Sequence, residues 1–317
     1  MATIGIFLSS EEQNAQTLVR TAQQAEQAGF QKAWISDHFH PWNDEQGESP
    51  FVWSVLGGIA ATTSTLRVHT AVTCPMIRTH PAIIAQAAAT TATMMPGRFG
   101  LGLGTGEALN EHILGDHWPS ADVRMEMLEE AIEVIRLLWE GGTQDHEGQH
   151  YIVENARIYS LPDELPPIHI SAFGPKAVSM AARIGDGYMT VGPEAELLQQ
   201  YREEGGKGTS HTGLKVCWGA DEQACIDTAY RLWPNEALPG ELPQILPTPR
   251  HFEQAVELVT RDMIAESTPC GPDVEKIVGA IQEHVDAGFD EVYVSQIGPD
   301  QQGFVEMMAR DVLPRFA

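Results

Sequence analysis

A short apolar run followed by a longer stretch of helical spacing recurs eight times along this chain, and few folds accommodate that alternation. The apolar runs are Thr3–Leu8, Lys32–Ser36, Leu66–Val72, Phe99–Leu103, Pro167–Ser171, Gly187–Val191, Leu214–Trp218 and Asp290–Ser295. Helices are predicted between and after them, over Thr17–Ala28, Phe51–Thr63, Pro81–Met95, Val123–Trp139, Pro175–Ile184, Glu194–Glu203, Asp221–Leu232 and Pro272–Ala287, with a terminal one at Phe304–Val312. Several carry their own boundaries. Gly29 stops the first, and Pro81 opens the third where its missing N–H is not needed. Val123–Trp139 sets Met127, Leu128, Ala131, Ile135 and Leu138 on one face. Such alternation implies parallel strands joined by right-handed crossovers. Eight units in 317 residues fit a (β/α)8 TIM barrel better than a doubly wound sheet. Two segments fall outside the pattern: a hairpin expected over His150–Val153 and Ala156–Tyr159, and a proline-rich insertion at 234–272 with a helical middle, Pro249–Ile264. No linker or low-complexity segment divides the chain, so a single domain over 1–317 is expected.

Composition excludes several function classes. The net charge of −25, from 44 acids against 19 bases, argues against nucleic acid or an anionic membrane as partner. The longest membrane-like candidate, Ala82–Met95, is interrupted by Gln86 and threonines, and no basic residue precedes Arg20; a cytoplasmic protein is expected. Cys74, Cys217, Cys225 and Cys270 are scattered without a C-x-x-C pair, which reads as buried free thiols rather than a zinc site or disulfide framework. Only five of the bases are lysine. An acidic, lysine-poor surface of this kind repels itself in dilute buffer and is relieved by salt.

In a parallel barrel, ligands bind where the strands end. The polar residues there are Glu11, Asp37, His38, His40, Trp42, Thr73, Glu107, Asn110, Ser171, Thr190 and Gln296. The most distinctive stretch is Phe99-Gly-Leu-Gly-Leu-Gly-Thr-Gly-Glu107, whose glycines let other groups approach closely. Glu107 stands where strand gives way to loop, either as a catalytic carboxylate facing a flat cofactor or as a cap on the next helix. G-x-S-x-G, Walker and H-E-x-x-H motifs are absent. Gly102-x-Gly104-x-Gly106 has the wrong spacing for a dinucleotide fingerprint. Asp37, His38 and His40 offer metal-ligand atoms but lack a third donor unit, so no metal is expected.

Ser36-Asp37-His38-Phe39-His40-Pro41-Trp42, Gly104-Thr105-Gly106-Glu107-Ala108-Leu109-Asn110-Glu111 and Gly185-Asp186-Gly187 together resemble the luciferase-like superfamily. The resemblance is closest to its branch that uses the deazaflavin coenzyme F420, that of the F420-dependent glucose-6-phosphate dehydrogenases. It runs from Gly5 to the C-terminus and is weakest between Pro193 and Pro272. It implies a (β/α)8 barrel with insertions, usually a homodimer, with a small-molecule substrate and the coenzyme over the strand ends. A flavin mononucleotide monooxygenase on the same fold is the alternative. The resemblance further implies a non-proline cis peptide at Ala71–Val72 supporting the coenzyme ring. It makes His38 the acceptor of the substrate hydroxyl proton, Trp42 the packing wall beside the reacting carbon, and Glu107 the group serving the coenzyme's N1. Gly106 and Asn110 belong to the same motif and are expected at the coenzyme, and Glu11 and Thr190 at the substrate. Asp37 would orient His38 or contact the ring; alternatively, the two form a purely structural pair.

This division of labour is chemically coherent. A carbinol releases hydride as its hydroxyl loses a proton, which needs a base that titrates near neutrality. Negative charge develops at N1 as the deazaflavin is reduced, so a protonated Glu107 there would be stabilising. Ala172-Phe173-Gly174-Pro175-Lys176 ends the fifth strand and opens a helix. Its backbone N–H groups form an anion site for the coenzyme phosphate, with Lys176 adding positive potential. Relatives that act on sugar phosphates hold the phosphate with a lysine after strand six and further bases in the late insertion. Here that exit reads Thr190-Val191-Gly192-Pro193-Glu194-Ala195-Glu196, and the insertion offers only Arg250 and Arg261. Glucose 6-phosphate is therefore expected to be a poor substrate beside neutral carbinols.

Overall fold

The computed structural model describes residues 2–316. Eight parallel strands close into a barrel: β1 (Thr3–Leu8), β2 (Lys32–Ile35), β3 (Arg67–Thr70), β4 (Phe99–Leu103), β5 (Ile168–Ser171), β6 (Gly187–Val191), β7 (Ser210–Trp218) and β8 (Glu291–Gln296). Each pairs with the next, β7 with β8, and β8 with β1, which completes the ring. This is the expected (β/α)8 TIM barrel. Closure leaves no open sheet edge to be covered.

The two-residue period of a strand decides which side chains line the interior. On β1, Ile4, Ile6 and Leu8 join the core between barrel and helices, where full burial of such a side chain is worth about 1.5–3 kcal/mol. Gly5 and Phe7 face inward, Gly5 against Tyr293 and Phe7 edge-on to Trp34. Tyr293 stacks on Trp34 with centroids 4.3 Å apart and Met189 completes this middle layer. Below it lie three buried imidazoles, His69, His169 and His211. They fit because the neighbouring strands carry glycine: a Cβ on Gly100 would stand 2.1 Å from His69, and one on Gly187 2.2 Å from His169. The ligand atoms of the three rings lie within 4.8 Å of one another. However, His169 and His211 stack at 4.3 Å and 27°, so one metal ion cannot lie in both ring planes.

The hairpin forms four to six residues earlier than expected, Gln144–Glu147 pairing with Ile152–Ala156. Glu130, on the Ala121–Trp139 helix, fixes it by accepting N–H bonds from Gln149, His150 and Tyr151. β7 begins at Ser210 rather than Leu214, because His211 and Thr212 pair with Glu291 and Val292. The helix Glu222–Leu232 does not pack in the outer layer. With Val259 and Ile264 from the expected insertion it builds a separate cluster on Cys217 and Ile297, a cap over the C-terminal mouth. A two-residue strand, Cys270–Gly271, returns the cap to β7, and Val274–Asp286 is the helix that packs against β7 and β8. All four cysteines are buried and free. Among the described residues no helix is long and apolar enough to cross a membrane.

Candidate active site

At the mouth, Leu8 lies opposite Ile35, so the residues that follow β1 and β2 meet. Ser36 Oγ donates to Glu11 Oε2 at 2.7 Å, and Ser9 Oγ donates to the same oxygen at 2.9 Å. Burial pushes the Glu11 carboxyl up, but the His38 imidazole and the two hydroxyls outweigh that and hold it below the ordinary carboxylate value. Its other oxygen faces His38 Nε2 at 3.5 Å. A dehydrated carboxylate is thereby fixed and aimed at an imidazole.

His38 Nδ1 lies 3.1 Å from both the His40 carbonyl oxygen and Asn110 Nδ2. The Asn110 orientation is set by its own Oδ1, which accepts the N–H groups of Phe39 at 2.9 Å and His40 at 3.1 Å. Its amide nitrogen is therefore turned toward His38 and toward Glu107 Oε2, 3.3 Å away. One buried carboxamide spans the two groups expected to do chemistry. Glu107 does occupy the N-cap position of the Ala108–Glu111 turn, yet its side chain makes no capping bond.

Trp42 lies 5.0 Å from His38 and edge-on to Phe252 of the cap at 5.1 Å, centroid to centroid. Its backbone N–H donates to Gln46 Oε1 at 2.8 Å. Gln46 Nε2 and Asn43 Nδ2 both donate to the Leu232 carbonyl, at 2.8 and 3.0 Å. The loop carrying the histidine and the indole is thus clipped to the cap.

Residues 1–291 match the Luciferase-like monooxygenase family. The chain belongs to the luciferase-like family. It is 33% identical to the F420-dependent glucose-6-phosphate dehydrogenase of Nocardia farcinica (strain IFM 10152), over 98% of this chain and 97% of that protein. It is 34% identical to the enzyme of the same name from Microbacterium testaceum (strain StLB037), over 98% and 96%. Among solved structures it resembles an F420-dependent secondary alcohol dehydrogenase in complex with an F420-acetone adduct. There the TM-score is 0.91 and the identity 29%, with 98% of both chains covered.

In this luciferase-like barrel some expected residues are engaged by other protein groups. Asp37 makes no hydrogen bond to His38 among the described residues. It accepts from Thr73 Oγ1 at 2.8 Å and pairs with Arg78 at 3.0 Å. Arg78 also binds Glu111, through its backbone N–H at 2.9 Å and Nε at 3.3 Å. Burial works against the Arg78 charge, but Asp37 and Glu111 outweigh it and hold the pKa above the ordinary value. Burial raises the Glu111 carboxyl in spite of Arg78. This buried triad ties together the loops after β2, β3 and β4. Thr190 is buried on the face of β6 opposite to Met189, which turns inward. Lys176 points outward, 78% exposed, and pairs with Asp122 at 3.0 Å, so its charge is already matched.

The remaining expected residues do lie at the mouth. The Ala71–Val72 peptide is cis, and Val72 packs over Gly104, where a Cβ would come within 2.7 Å of its Cγ2. Gly106 has φ +67 and passes so close to Cys74 that a Cβ would lie 2.6 Å from its sulfur. Ala172 is buried and Phe173 exposed. Gly174 precedes the ten-residue helix Pro175–Ile184 with open space where a Cβ would stand. The glycines of β4 thus divide: Gly100 and Gly102 make room for His69 and the Thr70 carbonyl deep in the barrel, and only Gly104 and Gly106 reach the mouth.

Sequence reasoning missed Arg78, Glu12, Gln46 and Lys215. Arg78 had a signal, as the base nearest the β3 exit in an acid-rich chain; the other three acquire meaning only through the cap. Glu12 accepts from Trp233 Nε1 and, at 2.8 Å, from the Gly298 N–H. Burial raises its carboxyl to about 7 against those two donors.

Proposed function

We propose that this protein is an F420-dependent oxidoreductase that moves a hydride between an alcohol or hemiacetal carbon of a small substrate and the deazaflavin. The observation that carries the reading is the Asn110 carboxamide set between His38 and Glu107, in a chain whose relatives at 33% and 34% identity are F420-dependent dehydrogenases. The mouth fits such a coenzyme. Val72 and the half-exposed Val191 offer an apolar floor. Gly174 leaves the first turn of its helix open, and the N–H groups of such a turn have no partner within the helix and suit phosphate. Bound there, the coenzyme would supply the hydride acceptor.

The protein's own residues would handle the proton. Accepting it at His38 Nε2 requires the tautomer protonated at Nδ1, in which Nδ1 donates to the His40 carbonyl and the Asn110 amide gives its hydrogen bond to Glu107 rather than to His38. The imidazolium so formed faces the Glu11 carboxylate, and a charge pair in a site sheltered from water is stabilised more than in solution. The Asn110 amide hydrogen holds Glu107 by Oε2, leaving Oε1 free to exchange a proton with the coenzyme. Trp42, pinned through Gln46, closes the side of the chamber. Mixing the protein with coenzyme F420 and a series of secondary alcohols and aldoses, and following loss of the coenzyme's visible absorbance, tests the reading. Binding of flavin mononucleotide in preference, with no bleaching of F420 by any carbinol, would refute it.

We also propose a homodimer. Supporting it, Phe51, Ile83 and Met94 are 57%, 56% and 47% exposed around an apolar groove of about 290 Å³ between the helices Val52–Thr62 and Pro81–Met94. Contiguous apolar surface of this kind marks an interface. Sedimentation at micromolar concentration giving only the monomer mass would exclude it.

A further inference from the structure

We propose that Lys215 and Glu236 set the charge of the substrate this site admits. Lys215 is a cation of the substrate chamber, and Glu236, carried in by the cap, neutralises it, so that neutral carbinols are favoured over phosphorylated ones. This rests on the oxidoreductase reading above and names its substrate class.

The placement follows from register. Gly213 pairs with Tyr293 and faces inward, since a Cβ there would stand 2.7 Å from the interior Trp34 ring. Lys215, two residues on, shares that face one layer nearer the mouth. Its ammonium lies 4.2 Å over the Trp233 ring and 2.9 Å from Glu236 Oε1. The same Trp233 bonds Glu12, the neighbour of Glu11, which faces His38. The pair therefore stands on the reacting side of the chamber, with the lysine side chain 14% exposed.

Three other cations are committed. Arg78 is shared by Asp37 and Glu111. Arg124 donates to the Pro119 carbonyl and Gln244 Oε1. Arg261, one of the two bases the insertion offers, binds Asp227 on the cap surface. An anionic group entering the chamber must compete with Glu236 for Lys215, and the sequence after β6 adds Glu194 and Glu196 rather than a base. A charge-matched partner already in place favours uncharged ligands by like-charge repulsion of charged ones.

The pair can be unbalanced in either direction. Glucose 6-phosphate and glucose are titrated calorimetrically, without coenzyme, into the intact protein, Glu236→Gln, and the double variant Glu236→Gln/Lys215→Met. Glu236→Gln is expected to bind the phosphate ester about tenfold more tightly or better, the order of one freed charge contact, with glucose changing less than about twofold. The double variant should lose the gain. Lys215→Met alone leaves Glu236 unmatched and should bind a cationic amino alcohol about tenfold more tightly than the intact protein does; this arm stands even if Glu236→Gln fails to fold. No gain in either single variant, a gain that survives in the double variant, or tighter binding of glucose 6-phosphate than of glucose by the intact protein overturns the proposal. Hydride transfer from neutral alcohols by the intact protein is measured separately. Its absence would refute the oxidoreductase reading, and its presence without the charge effects would refute only the role of this pair.

Discussion

Replacing His69 by leucine should make the barrel markedly more tolerant of acid. His69 lies at the floor of the barrel, perpendicular to His169 and His211 with ring centroids 4.9 Å away in each case. Burial, and then the neighbouring His211, lower its pKa from the ordinary 6.5 to about 3. Above the ordinary value neither the folded nor the unfolded chain protonates it, so it is indifferent to pH. Below it, the unfolded chain takes up a proton that the folded barrel refuses until about pH 3, so stability is lost progressively across that window. At about 1.4 kcal/mol per pH unit, going from neutrality to about pH 5 costs about 2 kcal/mol at this one residue. His69→Leu removes that penalty and one of the groups that disfavour protonation of His169. The assay is urea unfolding followed by tryptophan fluorescence at about pH 7 and about pH 5. The quantity compared is the difference in stability between the two, which cancels whatever the leucine does to packing. That difference should shrink by about 2 kcal/mol in the variant. A difference unchanged within error would mean that His69 is not held neutral by the barrel, and the reasoning fails.

His38→Ala should lower turnover by about 10²–10⁴-fold, the usual worth of a general base, with coenzyme affinity nearly unchanged; undiminished turnover removes His38 from the mechanism. Glu11→Gln keeps the hydroxyl contacts but removes the charge facing the imidazole, and should cost about 10–100-fold in turnover, read by steady-state kinetics. Arg78→Met strands the Asp37 and Glu111 carboxylates below the site and should destabilise by about 3–5 kcal/mol, visible as a lowered denaturation midpoint. Gly106→Ala must force a side chain into positive φ against Cys74, so a loss of about 1–3 kcal/mol is expected in the same assay. The melting temperature should rise between dilute buffer and molar KCl, since a net charge of −25 is screened as the Debye length falls to about 3 Å; indifference to salt would show that surface repulsion is unimportant here.

The eightfold strand–helix alternation, the closed barrel and the outer core were legible in the sequence, because they depend on periods of two and 3.6 residues that covalent geometry imposes locally. The motif residues His38, Trp42, Glu107 and Asn110 could be placed at the mouth for the same reason, since each follows a recognisable strand. Periodicity assigns a residue to a face but does not name its neighbour across the barrel. Asp37 follows β2 beside His38, yet Arg78, 41 residues on, takes it, because lateral strand pairing sets loops far apart in sequence side by side. Asn110 reaches His38 across 72 residues for the same cause. The glycines of Phe99–Leu103 advertised close approach, and what approaches Gly100 is the His69 ring from the next strand. Lys215 looked like an ordinary strand residue until the cap brought Glu236 and Trp233 over it. Its local pattern holds no trace of that, since the position of the cap depends on long-range contacts, with Leu232 bound to Asn43 and Gln46 nearly 190 residues away. The tertiary structure alone decided which charges are matched inside the site, because a buried charge is governed by whatever group the whole fold sets against it.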